Sequence, residues 1–124
     1  MGHQVHPGEQ LVLALYVKDL AGSSGFYRSL GFEITRRDRN FMELRWEETL
    51  LFLVELSDAP DEPIQPVGNI RILVDDVDEH WERCKNLDVQ ILRVVETRDY
   101  GMRDFIIAGP DGLSIRFAGF VGKL

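Results

Sequence analysis

The 124-residue chain has a single cysteine, Cys84, so it cannot form an intrachain disulfide. It also lacks the run of about 18 apolar residues that a membrane-spanning helix requires. The polar segment 1–10 has no apolar core of the kind found in signal peptides. Secreted domains of this size usually carry paired cysteines, so we expect a cytoplasmic protein that is not bound to a membrane.

Basic residues are also few, with 14 Lys and Arg against 21 Asp and Glu, which gives a formal net charge of −7. The densest basic segment holds only Arg36, Arg37 and Arg39 and is interrupted by Asp38. A protein that binds nucleic acid normally presents a basic face, so we expect no nucleic-acid partner. The acidity is compatible with a cationic ligand through long-range attraction, or it serves only solubility.

Metal ligands and nucleophiles are scarce in the sequence. His3 and His6 lie in the polar N-terminal segment, and His80 lies on a predicted helix, so no two histidines share a predicted face. The serines near the first predicted helix lack the Gly-x-Ser-x-Gly pattern of a nucleophile elbow. Cys84 falls on the core face of its helix and is interpreted as structural. We therefore predict no catalytic residue.

An internal repeat at an offset of 57 residues is the strongest positive signal. Apolar positions of a strand, a helix and a second strand recur in register, which indicates a structural duplication. The matched sets are Leu13, Leu15, Val17, Asp19, Leu20, Leu30, Phe32 and Ile34, and then Ile70, Ile72, Val74, Asp76, Val77, Leu87, Val89 and Ile91.

Each half predicts the same order of elements. In the first half, Asp19 caps a helix over 20–30 that ends at Gly31. In the second half, Asp76 and Glu79 have the spacing of a capping box at the start of a helix. Alternation and turn residues predict strands at 11–17, 32–37, 40–46 and 50–56, and then at 69–74, 89–97, 103–108 and 113–118.

Three prolines, at 60, 63 and 66, separate the halves and predict an irregular linker. We expect a single domain with a tail at 1–10, a first module at 11–56, a linker at 57–68 and a second module at 69–120. The fold class is α+β, with two βαβββ modules that form a curved mixed sheet with helices on its outer face.

The motifs themselves resemble a known family. Val17-x-Asp19-Leu20 and Leu30-Gly31-Phe32-Glu33 are similar to the first module of the glyoxalase/bleomycin resistance/dioxygenase superfamily, also called vicinal oxygen chelate proteins. The segments 100–105, 109–112 and 115–117 resemble the end of its second module, most closely in the bleomycin-resistance-like branch. The resemblance covers residues 11–119 and implies a U-shaped sheet around a cavity.

Metal-dependent enzymes of that superfamily place four ligands in the cavity. The resemblance puts Val12, Glu55, Asn69 and Arg116 at those positions. Valine cannot coordinate a metal, and a guanidinium has no lone pair to donate. We therefore expect no metal and no cofactor, and Glu55 is expected to pair with Arg116 instead.

Strand alternation predicts which residues line the cavity. The predicted lining is Val12, Ala14, Tyr16, Leu51, Leu53, Glu55, Asn69, Arg71, Leu73, Ser114, Arg116 and Ala118. Such a mixture of apolar and charged groups suits an organic ligand, although a dimer interface is an alternative use for the charges. The predicted ligand-binding residues are Trp46, Phe52, Glu55, Asn69, Arg71, Tyr100, Met102, Arg103 and Arg116.

The function predicted from the sequence is metal-free binding of a small organic molecule. The ligand is sequestered in a cavity at a homodimer interface and is expected to be cationic and aromatic. The alternative is a lyase, isomerase or dioxygenase of the same superfamily with a shifted metal site. A small-molecule sensor or accessory subunit is a third interpretation.

Overall fold

The computed structural model describes residues 6–56 and 68–121. The chain divides into two compact units, unit 1 at residues 1–61 and unit 2 at residues 62–124. None of the described helices is long and apolar enough to cross a membrane.

The elements of unit 1 are α1 (Pro7–Gln10), β1 (Leu13–Val17), α2 (Leu20–Leu30), β2 (Glu33–Asp38), β3 (Phe41–Trp46) and β4 (Thr49–Glu55). Those of unit 2 are β5 (Gly68–Leu73), α3 (Val77–Lys85), β6 (Ile91–Thr97), β7 (Met102–Ala108) and β8 (Leu113–Phe120).

Each unit contains one four-stranded mixed sheet. The strand order is β1-β4-β3-β2 in unit 1 and β5-β8-β7-β6 in unit 2. Strand β1 is parallel to β4, and β5 is parallel to β8. The other neighbouring pairs in both sheets are antiparallel. The α+β class and the repeated βαβββ order are therefore confirmed.

Both main helices begin where the sequence predicts, and α2 also ends at the predicted residue. The carboxylate of Asp19 accepts a hydrogen bond from Gly22 N at 3.1 Å, and that of Asp76 accepts one from Glu79 N at 3.1 Å. These bonds satisfy amide groups that have no partner within the helix. Helix α2 ends at Gly31, whose φ of 123° is accessible to glycine but costly for other residues.

Each sheet buries one face against its helix. In unit 1, Tyr27 and Leu30 of α2 pack with Leu44 and Leu53 of the sheet, and all four are fully buried. In unit 2 the buried set is Cys84, Phe105, Ile107, Ile115 and Phe117. Burial raises the pKa of the Cys84 thiol, in keeping with the structural role predicted for it.

Two regions differ from the sequence prediction. Residues 7–10, predicted as part of a tail, form the short helix α1, capped by the His6 ring, which accepts from Gly8 N at 2.9 Å. His80, on α3, is half-buried, and its ring stacks on Phe117 at a centroid distance of 5.0 Å. His3 and residues 57–67 of the predicted linker lie outside the described residues, while Gly68 already belongs to β5.

Candidate functional site

The sheet of unit 2 has one face covered by α3 and one face turned away from it. Register pairs Ile72 with Phe117 and Phe105 with Phe117, and these side chains form the core beneath α3. Residues that alternate with them point to the opposite side, which we call the distal face of unit 2. It carries Asn69, Arg71 and Leu73 from β5, Ser114, Arg116 and Ala118 from β8, and Met102, Asp104 and Ile106 from β7.

The buried carboxylate of Asp104 is the centre of this face. Asp104 has no exposed surface, and its two oxygens accept from different arginines. Arg98 donates to Oδ1 from Nε at 2.8 Å, with Nη2 also at 2.8 Å. Arg116 donates to Oδ2 from Nε at 2.8 Å, with Nη2 at 2.7 Å. Each guanidinium therefore presents two nitrogens to one carboxylate oxygen, so both oxygens of Asp104 are occupied.

Two opposing effects act on the pKa of Asp104. Burial alone would raise it, because the charged form loses its hydration. Hydrogen bonds from Arg116 and Arg98, together with their charges, outweigh burial and hold the pKa below the ordinary value. Asp104 is therefore ionised at neutral pH and acts as the counterion of both arginines.

Further arginines lie in the same row of the distal face. Arg71 is the direct register partner of Arg116 on the neighbouring parallel strand. Arg116 is opposite Ile106, which is in turn opposite Arg93 on β6. Arg71 and Arg93 are exposed, and among the described residues neither has an ion pair or side-chain hydrogen bond.

Tyr100 lies on the turn that joins β6 to β7. Gly101 N donates to Arg98 O at 3.2 Å to close the turn, and Gly101 has a φ of 89°. The Tyr100 hydroxyl accepts from Arg116 Nη2 at 3.3 Å, while 61% of the residue is exposed. The structure thus brings Tyr100 into contact with Arg116, on the face that also carries Asn69 and Arg71.

Arg103 does not belong to this group. It lies opposite Gly119, on the α3 side of the sheet, and its guanidinium forms a bidentate pair with Asp78 of α3. Its Nη1 also donates to Thr97 at 3.0 Å. Met102 is on the distal face but is largely buried, opposite Phe120.

The prediction for β4 is wrong for three residues. Leu51, Leu53 and Glu55 were expected to line the cavity, but the parallel register sets them beside Leu13, Leu15 and Val17. Paired residues share a side of the sheet, so they face α2, and Leu53 is fully buried there. The side chain of Glu55 accepts from Leu20 N at 3.0 Å, at the first turn of α2.

Glu55 and Arg116, which were expected to pair, each have a partner within their own unit. Glu55 contacts the start of α2, and Arg116 contacts Asp104. The registers of the two sheets show why the positions were mismatched. The counterpart of Arg116 in unit 1 is Phe52, and the counterpart of Glu55 in unit 2 is Gly119. The sequence prediction had treated Glu55 as the counterpart of Arg116, which is three residues away from the correct position.

The two aromatic candidates of unit 1 lie on opposite faces of their sheet. Trp46 is on the α2 side, where its ring makes an edge contact with Phe32 at 5.3 Å. Phe52 is on the side away from α2 and packs against Phe41 at 5.1 Å. Phe52 therefore remains a candidate for ligand contact, whereas Trp46 belongs to the packing around α2.

The four residues that the resemblance assigned to metal-ligand positions do not fit a metal in this structure. Val12 offers no donor atom, Arg116 is tied to Asp104, and Glu55 is bonded to the helix start. Among the described residues, no group of three or more His, Cys, Asp or Glu side chains is placed to share an ion. No step of a reaction is therefore derived through a metal.

Asp104 and Arg98 are the site residues that the sequence reasoning missed. The available signal was an acidic residue within the otherwise mostly apolar strand Met102–Ala108. A carboxylate at such a position needs a charged partner, and Arg116 lies on the next strand. Arg98 had no comparable signal, because it reaches Asp104 from the turn before β7.

Comparison with known proteins gives consistent results. A family model described as the Glyoxalase/Bleomycin resistance protein/Dioxygenase superfamily matches residues 9–117. No curated protein matches the chain significantly.

Solved structures resemble the chain over nearly its whole length. A glyoxalase/bleomycin resistance protein/dioxygenase from Nocardioides has a TM-score of 0.77 at 18% identity, covering 98% of this chain and 92% of that chain. A bleomycin resistance determinant encoded on the transposon Tn5 has a TM-score of 0.73 at 23% identity, with coverages of 90% and 98%. A bleomycin-binding protein complexed with bleomycin has a TM-score of 0.71 at 22% identity, with coverages of 91% and 99%. At these identities the likeness establishes a shared fold.

Proposed function

The chain belongs to the Glyoxalase/Bleomycin resistance protein/Dioxygenase superfamily, and from that premise we propose that it is a protein that binds a small organic molecule without a metal ion. One observation carries the proposal. The distal face of unit 2 groups Arg71 and Arg116 with the exposed ring of Tyr100, around a carboxylate that is already neutralised. A sheet face that served only as core would have no use for an exposed guanidinium such as that of Arg71, which has no ion pair among the described residues.

Binding is favoured over metal-dependent catalysis because of the side chains available. A lyase, isomerase or dioxygenase of the superfamily type would need carboxylate or imidazole donors at the four positions discussed above. The residues that the resemblance assigned to those positions are a valine, an asparagine, a paired arginine and a glutamate bonded to a helix start, and the register counterpart of the arginine in unit 1 is Phe52, which is no donor either. The solved bleomycin-binding protein supports the view that this fold can hold an organic ligand.

Sequestration requires only affinity and a sufficient amount of protein, so no catalytic group has to be assigned. We further propose that the protein acts as a homodimer and that the second copy helps to enclose the ligand. Tyr16, Leu73, Val94 and Phe120 support this, since each is a large apolar residue at least 45% exposed. The buried, unpaired Cys84 fits a reducing, cytoplasmic environment.

A thermal-shift screen in the presence of a chelator tests the proposal. The library contains cationic, neutral and anionic aromatic compounds and includes bleomycin. A ligand present at 100 times its Kd should stabilise the folded state by about 2.7 kcal/mol. Elemental analysis of the purified protein accompanies the screen.

Two results would contradict the proposal. One is the absence of any stabilising compound across all three charge classes. The other is a stoichiometric transition metal in the purified protein, together with stabilisation that disappears on chelation and returns with the metal.

A further inference from the structure

We infer that the ligand is recognised through an oxyanion, a carboxylate or a phosphate, held by Arg71 and Arg116 on the distal face of unit 2. The inference rests on the proposed binding function and specifies the ligand class for that site. It replaces the cationic ligand that the overall acidity suggested. Three features of the site favour an anion: its local charge, its free donors and the side chain of Tyr100.

The local charge of the site is opposite to that of the chain. Around the site lie four arginines, at 71, 93, 98 and 116, and three carboxylates, Asp104, Glu96 and Asp99, the last next to Tyr100 in the turn. These groups leave a net charge of +1, whereas the whole chain carries −7. The field close to a binding surface is dominated by nearby charges, because distant ones are screened beyond about 8–10 Å. An anion is therefore attracted here despite the acidic sequence.

Asp104 is not available to bind a cation. Both of its oxygens already accept hydrogen bonds from guanidinium nitrogens, and it has no exposed surface. Glu96 is paired with Arg98 through Oε1. A cationic ligand approaching Asp104 would therefore meet the guanidinium groups of Arg98 and Arg116 before the carboxylate.

Donors, by contrast, remain free. Arg116 uses Nε and Nη2 for Asp104 and Tyr100, which leaves Nη1 without a partner among the described residues. Arg71 lies directly opposite on β5, and its guanidinium has no partner among the described residues. Like charges at directly opposite positions of two strands are destabilising, and an anion bound between them would relieve this repulsion. The planar fork of arginine matches the geometry of a carboxylate or a phosphate.

Tyr100 completes the recognition of an anionic aromatic molecule. Its hydroxyl oxygen accepts from Arg116, so the hydroxyl proton is free to donate to a bound oxyanion. Its ring is exposed and offers a surface for the flat apolar part of the ligand. Arg98 and Asp104 act as positioning residues, since they fix the guanidinium of Arg116.

The test uses four probes that share a phenyl ring and differ in charge: phenylacetate, phenyl phosphate, phenylacetamide and phenethylamine. Each is titrated into the isotope-labelled full chain in a phosphate-free buffer and followed by amide chemical shifts. We expect phenylacetate or phenyl phosphate to bind at least tenfold more tightly than phenylacetamide, with shifts centred on Arg71, Arg116 and Tyr100. The tighter of the two anions identifies the oxyanion. Affinity should fall as salt rises, because the donors are exposed.

Variants separate this site from a general effect of charge. Arg71→Gln should weaken binding of the anionic probe about tenfold, and Arg71→Lys should restore only part of the loss because the fork is missing. Arg39→Gln is the matched control, since it removes the same charge from an exposed turn in unit 1. It should leave the affinity unchanged.

The outcomes distinguish the inference from the proposed function. If phenethylamine or bleomycin binds and the anions do not, the inference is wrong and the binding function stands. Equal losses in the Arg71→Gln and Arg39→Gln variants would also overturn the inference, because the anion would then respond only to net charge. If no compound in the thermal-shift screen binds, the proposed function fails and the inference fails with it.

Discussion

At the scale of single residues, Asp104 connects the stability of unit 2 to its proposed site. It is the counterion of Arg98 and Arg116, and it orients the guanidinium that would meet a ligand. Removing one member of a buried ionic group is more harmful than replacing the whole group, because the remaining charges lose their partner. Asp104 is therefore expected to affect folding and binding together.

Replacing Asp104 with asparagine should lower the free energy of unfolding by about 2–4 kcal/mol. This is somewhat below the range for a fully buried group, because the side chains of Arg98 and Arg116 are 11% and 19% exposed. Urea denaturation measures the change. Asp78→Asn is the control, since it breaks an exposed aspartate–arginine pair and should cost much less. Equal losses in the two variants would contradict the assignment.

The same group predicts an acid dependence of stability. The pKa of Asp104 is lowered on folding, so its contribution is fully present above the unfolded-state value of 3.8 and is lost as pH falls through the folded-state pKa. The stability difference between wild type and Asp104→Asn should stay constant from neutral pH to pH 5 and shrink below about pH 4. Urea denaturation across this range provides the measurement. If the stability difference between wild type and Asp104→Asn disappeared above pH 5, another titrating group would be responsible.

Glu55 has a structural role at the start of α2. Because its carboxylate accepts from Leu20 N near the positive end of the helix, Glu55→Ala should reduce stability by about 1 kcal/mol. Glu55→Gln keeps an acceptor and should lose less. Both variants should retain ligand binding in the thermal-shift assay. A loss of binding without a loss of stability would return Glu55 to the site.

At the scale of elements, local signals in the sequence proved sufficient for helices and turns. Asp19, Gly31 and Asp76 mark helix ends by satisfying backbone groups within a few residues, so no distant information is needed. The turn at Asp111-Gly112 is another example. Both residues have positive φ, at 65° and 83°, as in the tight turns that match strand twist.

The faces of strands were less predictable, because they depend on register with a distant strand. The alternation of Leu51, Leu53 and Glu55 was visible, but which side of the sheet they occupy follows from the parallel pairing with β1. A shift of one residue moves every side chain to the other face. The Asp104 cluster depends likewise on the β7–β8 register, together with a turn that returns Arg98 to the sheet.

A close approach between β8 and the start of α3 gives a prediction at this scale. A Cβ atom on Gly119 would lie 2.7 Å from Val74 O and 2.8 Å from Val77 Cγ2, so Gly119→Ala should destabilise the protein by about 1–3 kcal/mol. Gly25→Ala is the control, because nothing lies within 4 Å of the added atom and α2 should gain up to about 1 kcal/mol. Thermal unfolding compares the two. Equal changes in stability for Gly119→Ala and Gly25→Ala would contradict the close approach of Gly119 to Val74 and Val77.

At the scale of the whole molecule, the exposed apolar residues predict self-association. A homodimer should sediment with about twice the chain mass of 14.2 kDa. Val94→Glu, at a position that is 60% exposed, should shift the equilibrium toward monomer without loss of helix or strand content. Analytical ultracentrifugation and circular dichroism measure both effects. A sedimenting mass that remains that of one chain across micromolar concentrations would refute the dimer.

The shared topology of the two units has a consequence for how such a protein diversifies. The strand positions that carry Arg71 and Arg116 in unit 2 carry Ala14 and Phe52 in unit 1. One unit thus carries an aromatic side chain at a position where the other carries an arginine. Substitutions in unit 2 would change the charge that a ligand of the proposed site meets while the aromatic surface of unit 1 is left intact, so the selectivity of the two units could evolve separately.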